Sequence, residues 1–100
     1  MAEQGIGRYR ADFPILSQKV GGKPVAYLDS AASAQKPRAV IDAMNHVMET
    51  HYANIHRGLY AFSHTTTTAF EKSRRTIADF IGAGREEEII FTRNATEGFN

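Results

Sequence analysis

Apolar side chains recur at helical spacing in two stretches of the chain. The first stretch follows Pro37 and carries its apolar or aromatic face at Val40, Ile41, Met44, Val47, Met48, His51 and Tyr52. This spacing predicts an amphipathic helix of about four turns. Pro37 suits the first position of that helix, because the N–H that proline lacks would have no partner there.

The second stretch predicts a helix that begins near Ser63 and ends at Gly82 or Gly84. The Ser63 hydroxyl is expected to cap the first turn. The expected buried face consists of Phe70, Ser73, Ile77, Phe80 and Ile81. The threonine run at residues 65–68 is β-branched and hydroxyl-bearing, so we interpret it as an exposed or capping first turn.

Short extended segments accompany the two helices. A turn at residues 21–24 precedes a strand candidate at residues 25–28, and a second buried strand is predicted at residues 89–92, after a solvated acidic turn. The residues from 94 onward resemble the opening of a further helix. The pattern predicts an α/β fold with two main helices and short strands, and no internal domain boundary within residues 1–100.

Charge and composition argue against several classes of function. Lysine and arginine number 12 against 11 acidic residues, and this balance argues against a nucleic-acid partner or an anionic membrane surface. The sequence has no apolar run long enough to span a membrane and no visible signal peptide, so we expect a cytoplasmic location. The chain has no cysteine, so it supplies no disulfide and no thiol nucleophile.

The loop between the two helices carries the first candidate for chemistry. It combines Asn54, His56, Arg57 and Gly58 within a few positions. Loops held by rigid elements commonly carry functional residues, so His56 and Arg57 are candidates, although Asn and Gly alone also form ordinary turns. The histidines lack the i, i+4 spacing of a helical zinc pair, so we expect no metal site.

The second candidate is the predicted strand-to-helix turn at residues 94–98. A helix N-terminus presents unpaired N–H groups and a partial positive charge, which suit a phosphate group. Thr96 adds a hydroxyl, and the small Ala95 and Gly98 leave room for a ligand. The alternative is an ordinary helix start, since Glu97 complements the helix dipole without any ligand.

Four blocks together carry a family resemblance. They read RADFPIL, YLDSAASAQKP, ANIHRG and FTRNATEG, in that order. In this order and spacing they closely resemble the N-terminal quarter or so of Suf-type cysteine desulfurases. These are class-V aminotransferase-like enzymes of fold-type I that use pyridoxal 5′-phosphate (PLP). The resemblance covers residues 8–100 and implies that the chain is the N-terminal segment of a single larger enzyme with an α/β fold.

The resemblance also implies roles for particular residues. The histidine of the family's HRG block falls on His56, near cofactor and substrate, and Arg57 shares this active-site loop. The paired alanines after the family's aspartate fall on Ala31 and Ala32, which would line the substrate pocket. The family's phosphate-binding threonine falls on Thr96.

The chain departs from the family's pattern in two places. Asn94-Ala95 stand where Gly-Thr is frequent, which removes one hydroxyl, so backbone N–H donors, with that of Ala95 among them, would complete the cofactor-binding turn. Residues 60–62 read YAF where His-Thr-Leu is frequent, which changes the local rim of the pocket.

The reaction implied for the parent enzyme converts L-cysteine to L-alanine. Sulfur would leave as an enzyme persulfide for a sulfur-acceptor protein and an iron–sulfur scaffold, and the full-length enzyme would be a homodimer. The Schiff-base lysine and the nucleophilic cysteine are not supplied by residues 1–100, so we expect this segment to be inactive alone. Two alternatives stay open: a selenocysteine lyase segment, and a non-catalytic helical interaction module.

Overall fold

The computed structural model describes residues 5–56 and 58–100. Arg57, one of the two candidates in the active-site loop, lies outside the described residues. The chain forms two compact units, of which one ends at Glu49 and the other begins at Thr50.

The first unit opens with two short 3-10 helices, Ile6–Asp12 and Pro14–Ser17. They lead into a small antiparallel hairpin of β1 (Lys19–Val20) and β2 (Lys23–Pro24), in which Val20 pairs with Lys23. Gly21 and Gly22 connect the strands with φ angles of 58° and 76°. A two-residue turn of this hand needs positive φ at both positions, and glycine adopts positive φ without steric cost. The predicted turn is confirmed at Gly21 and Gly22, whereas Lys23 and Pro24, which the prediction includes in the same turn, form β2.

The strand predicted at residues 25–28 is wrong for this structure. Regular pairing ends at Pro24, and beyond it the Val25 N–H reaches the Gln18 carbonyl at 3.4 Å. A strand is defined by a hydrogen-bonded neighbour, and the apolar alternation of a sequence does not say where that neighbour comes from. The segment from Val25 to Asp29 forms neither a helix nor a strand.

Helix α1 (Arg38–Thr50) confirms the first predicted helix. The Pro37 carbonyl accepts the N–H groups of Val40 and Ile41 at 3.0 and 3.2 Å, so proline stands directly before the first helical residue. Ile41 and Val47 are half-buried, whereas Met44 and Met48 keep more than half of their surface exposed. The predicted apolar face therefore exists, and this unit covers it only in part.

Helix α2 (Ala61–Ile81) is the longest element of the second unit. Its predicted end is confirmed, because Gly82 adopts the left-handed conformation at φ 74° and closes the helix. Its predicted cap is wrong: the helix begins at Ala61, and the Ser63 hydroxyl instead donates to the Asn54 carbonyl. Ser63 is buried, so its hydroxyl serves the preceding loop rather than the helix end.

The buried face predicted for α2 is wrong at four of its five positions: Phe70 is half-buried, whereas Ser73, Ile77, Phe80 and Ile81 are exposed. Phe80 and Ile81 are exposed at 90% and 62%, while Ser63 and Ala78 are the fully buried side chains among those described. The inward face also includes half-buried positions at Thr66, Thr67, Phe70, Glu71 and Arg74. The threonine run therefore lies inside the helix, and two of its hydroxyls contact the preceding loop. Polar contacts with that loop fix the rotation of α2, which apolar spacing alone could not reveal.

A short 3-10 turn, Glu86–Glu88, follows α2 and confirms the predicted acidic turn. Residues 89–92 form no strand in the part of the chain that the structure describes, and Ile90 is 80% exposed, so the predicted buried strand is not formed here. Helix α3 (Ala95–Phe99) confirms the predicted helix opening. No described helix is both long and apolar enough to cross a membrane.

Candidate functional site

His56 adopts a backbone conformation that is unusual for any residue except glycine. Its φ angle is 66°, the single positive φ of a non-glycine residue among residues 5–56 and 58–100. Such a conformation costs about 1–3 kcal/mol and persists where surrounding contacts hold it in place. Histidine tolerates it better than most residues do. Such conformations are frequent at active and binding sites, so the φ angle of His56 supports this loop as a candidate site.

Helix α2 supplies the contacts that hold His56. The His56 N–H donates to the Thr67 hydroxyl at 2.8 Å, and the His56 Nε2 lies 2.7 Å from a Glu71 carboxylate oxygen. Thr67 and Glu71 are four residues apart, so both project from one face of the helix. The other Glu71 oxygen lies 3.6 Å from the Arg74 guanidinium. One helix face therefore fixes both the backbone and the ring of His56.

Phe70 lies between the two candidate segments. Its ring meets the His56 ring edge-on, with centroids 5.7 Å apart, and meets the Phe91 ring in a similar way at 5.1 Å. Phe91 precedes the Asn94 turn by three residues. The Arg74 guanidinium stacks over the Phe70 ring at 5.6 Å. Aromatic contacts within the second unit thus join the His56 loop to the segment that leads into α3.

The loop around His56 is fastened at further points. The Thr66 hydroxyl donates to the His51 carbonyl, and the Ser63 hydroxyl donates to the Asn54 carbonyl. A Cβ atom at Gly58 would overlap the Ser63 side chain, so glycine is required for this close approach. An open cleft of about 720 Å³ lies beside the loop and is lined by Tyr52, Ala53, Asn54, Gly58, Leu59, Tyr60 and Ser63.

The turn before α3 is organised by its own side chains. The Asn94 side-chain oxygen accepts the Glu97 N–H at 2.9 Å, which is a helix N-cap. A Glu97 carboxylate oxygen in turn accepts the Arg93 N–H at 2.8 Å and the Arg93 Nε–H at 3.1 Å. The backbone N–H of Arg93, and then its side chain, lower the pKa of Glu97 from its ordinary value of 4.5.

The same turn leaves donors that could receive an anion. The N–H groups of Ala95 and Thr96 and the Thr96 hydroxyl have no hydrogen-bond partner within the described part of the chain. These are the first N–H groups of α3, which a helix cannot satisfy internally. Such donors can bind an anion, and the phosphate-binding role of Thr96 and Ala95 stays a prediction.

Ala31 and Ala32 lie in the first unit, in an exposed turn between the hairpin and α1. The Asp29 carbonyl accepts the N–H groups of Ala32 and Ser33 at 3.2 and 3.1 Å, and the Tyr27 hydroxyl donates to the Ser33 carbonyl. A cleft of about 370 Å³ in this unit is lined by Arg10, Phe13, Leu16, Tyr27, Ser30, Ala34 and Gln35. Neither alanine lines that cleft, so their place in a substrate pocket stays a prediction.

Sequence reasoning missed Thr67 and Glu71, which contact His56 directly. Thr67, Glu71 and Arg74 recur at i, i+4 and i+7, a polar stripe on one helix face beside Phe70. That spacing is the signal that could have marked them as partners of a loop. Among the described residues no cluster of three or more histidine and acidic side chains could hold a metal ion.

Comparison with known proteins identifies the family. Curated cysteine desulfurases from Yersinia pestis (strain Pestoides F) and Yersinia pseudotuberculosis serotype O:1b (strain IP 31758) are each 54% identical over 95 residues, which cover 95% of this chain and 23% of each relative. The apo structure of a cysteine desulfurase from Thermococcus onnurineus NA1 matches with a TM-score of 0.76 at 37% identity, over 97% of this chain and 23% of that one.

These matches confirm the predicted resemblance and the predicted α/β fold class. The chain spans about a quarter of the length of the relatives that it matches. The aminotransferase class-V family matches residues 26–100, which include the Ala31 turn, the His56 loop and the turn before α3. With three quarters of its residues matched in this way, the chain belongs to the class-V aminotransferase family.

Proposed function

We propose that the chain is the N-terminal segment of a PLP-dependent cysteine desulfurase. The observation that carries this proposal is the match of the fold to a cysteine desulfurase with a TM-score of 0.76; the N–H groups of Ala95 and Thr96 at the start of α3 are compatible with it. The 54% identity to curated cysteine desulfurases supports the same reaction. The enzyme would convert L-cysteine to L-alanine and pass sulfur on as an enzyme-bound persulfide.

Each site residue has a distinct task in this proposal. Thr96 binds the cofactor phosphate through its hydroxyl and N–H, with the Ala95 N–H beside it. His56 and Arg57 belong to the loop near cofactor and substrate, and Ala31 and Ala32 leave space for the substrate. PLP, when bound, supplies the electron sink that the chemistry needs. The protein residues bind and orient the reacting groups around it.

The remaining groups and partners belong to the rest of the enzyme. Residues 1–100 contain no cysteine, so the persulfide-forming thiol would come from elsewhere in the protein. We propose that the lysine that binds PLP also comes from elsewhere in the protein, and that the segment is catalytically inactive by itself. The full-length enzyme would be a cytoplasmic homodimer that delivers sulfur to an acceptor protein and an iron–sulfur scaffold.

Substrate turnover by the full-length enzyme tests the proposal. The enzyme is incubated with L-cysteine, and in parallel with L-selenocysteine, while alanine and enzyme persulfide are quantified. We expect alanine from L-cysteine together with a persulfide. Turnover restricted to L-selenocysteine would establish a selenocysteine lyase instead, and no turnover or PLP binding would establish a non-catalytic interaction module; either result overturns the proposal.

A second experiment tests the inactivity of residues 1–100. The segment is incubated with PLP, cysteine and a reductant, sulfide is measured, and intact mass is recorded after borohydride treatment. We expect sulfide at the free-PLP background and no adduct at a unique lysine. Catalytic sulfide release by the segment would show that these residues carry the chemistry themselves.

A further inference from the structure

The contact between His56 and Glu71 determines more than the position of the loop. The His56 Nε2 lies 2.7 Å from a carboxylate oxygen of Glu71. An ionised carboxylate only accepts hydrogen bonds, so Nε2 must carry a proton. The neutral imidazole then has its lone pair on Nδ1, which has no hydrogen-bond partner among the residues described. The contact selects one tautomer of His56.

We propose that Glu71 is a positioning residue that fixes His56 as the Nε2–H tautomer and leaves Nδ1 as its basic atom. The inference rests on the proposed function, in which the His56 loop lies at the active site. In that setting Nδ1 accepts or returns a proton next to the substrate, while Nε2 stays bound to Glu71. Glu71 acts through His56 and does not itself contact substrate.

The surroundings of Glu71 favour this role. Its second oxygen faces the Arg74 guanidinium at 3.6 Å, and this ion pair restrains the carboxylate. Phe70 packs edge-on against the His56 ring and restricts its rotation. The bond from the His56 N–H to Thr67 holds the backbone at φ 66°. Thr67, Phe70 and Glu71 of α2 thus fix one imidazole. An ordinary surface ion pair does not need three such contacts.

Histidine nitrogen spectra of the full-length enzyme test the tautomer directly. The enzyme is labelled with ¹⁵N-histidine, and the His56 signals are assigned by their loss in H56Q. We expect the neutral ring to carry its proton on Nε2 in the wild type. In Glu71→Gln, whose amide can donate as well as accept, we expect a mixture of tautomers. A wild-type proton on Nδ1, or an unchanged tautomer in E71Q, overturns the inference.

Asp79→Asn provides the matched control. Asp79 lies on the same helix, is exposed, and pairs with Arg75 at 3.0 Å, so the variant makes the same carboxylate-to-amide change away from His56. We expect D79N to keep the wild-type tautomer and turnover. A tautomer change in D79N as large as that in E71Q would assign the effect to helix charge and overturn the specific role of Glu71.

Kinetics separate a positioning role from a structural one. We expect E71Q to lower kcat by about 10- to 100-fold, because the amide removes the negative charge that stabilises the His56 ring when Nδ1 takes up a proton, with the KM for cysteine and the PLP content little changed. A changed tautomer with wild-type kcat in E71Q overturns the positioning role alone. Wild-type kcat in H56Q would instead overturn the proposed active-site role of His56, and the inference with it.

Discussion

The His56 loop and the turn before α3 are held in opposite ways. The hydrogen bonds that fix the loop join residues 9 to 15 positions apart, between the loop and α2. The side-chain hydrogen bonds that shape the turn join residues three or four positions apart, within Arg93, Asn94 and Glu97. The loop therefore needs a correctly placed helix before it can form, whereas the turn forms from contacts between residues close together in the sequence.

The difference has a consequence for function. A loop fixed by distant partners can hold a strained residue, because several contacts oppose relaxation at once. A turn built from local contacts adopts relaxed geometry and offers the N–H groups that every helix start leaves free. We expect changes at the loop to alter the chemistry of one side chain, and changes at the turn to alter the binding of one anion.

Replacing the His56 side chain should produce the largest effect. In the full-length enzyme we expect His56→Ala to lower kcat by about 100-fold or more, the range for a lost acid–base group. The melting temperature should change little, because the side chain is 48% exposed. His64→Ala, at an exposed position of α2, is the control and should retain activity. A large loss of stability with normal specific activity in H56A would identify His56 as a purely structural residue.

Removing the Thr96 hydroxyl should weaken cofactor binding. We expect Thr96→Val to cost about 1.5–3 kcal/mol in PLP affinity, the value of one hydrogen bond to a charged group. The measurement is the PLP dissociation constant from absorbance titration of the apoenzyme. Thr96→Ser keeps the hydroxyl and should retain most of the affinity. Equal affinity of T96V and the wild type would remove Thr96 from the phosphate site.

The Thr67 hydroxyl tests how far the loop depends on α2. Thr67→Val preserves shape but leaves the His56 N–H without its acceptor, and we expect a loss of about 1 kcal/mol in unfolding free energy. Thr65→Val is the matched control from the same run, since the Thr65 hydroxyl donates to the Ala61 carbonyl of its own helix. Urea unfolding of both variants provides the comparison. Equal losses in the two variants would contradict the dependence of the loop on Thr67.

The smallest effect is expected from the titration of Glu97. Its pKa is lowered when folded, so its stabilising contribution is complete at pH values above the ordinary 4.5 and is lost as pH falls through the folded value. Glu97→Gln should therefore remove a small pH-dependent part of stability on the acid side. Glu87→Gln, an exposed change in the nearby acidic turn, is the control. A Glu97 carboxyl that titrates at or above 4.5 by NMR would contradict the local contact with Arg93.

The sequence by itself determined the local features of this protein. Pro37 placed the start of α1, the Gly21-Gly22 pair placed the hairpin turn, Gly82 ended α2, and Asn94 with Glu97 built the start of α3. Each depends on contacts or backbone preferences that span a few residues. The family resemblance depends on short sequence blocks such as the His56 loop, so it could also be predicted from the sequence alone.

The tertiary structure decided which faces and partners those elements use. The apolar spacing of α2 favoured Phe80 and Ile81 as buried residues, yet the buried positions are Ser63 and Ala78. The Ser63 hydroxyl bonds to a loop carbonyl instead of capping its helix, and Glu71 contacts His56 across 15 positions. Such contacts depend on which segments the fold brings together, because hydroxyl and carboxylate groups can form hydrogen bonds with many different groups. Sequence spacing shows which side chains share a helix face, but only the folded chain shows which loop meets that face.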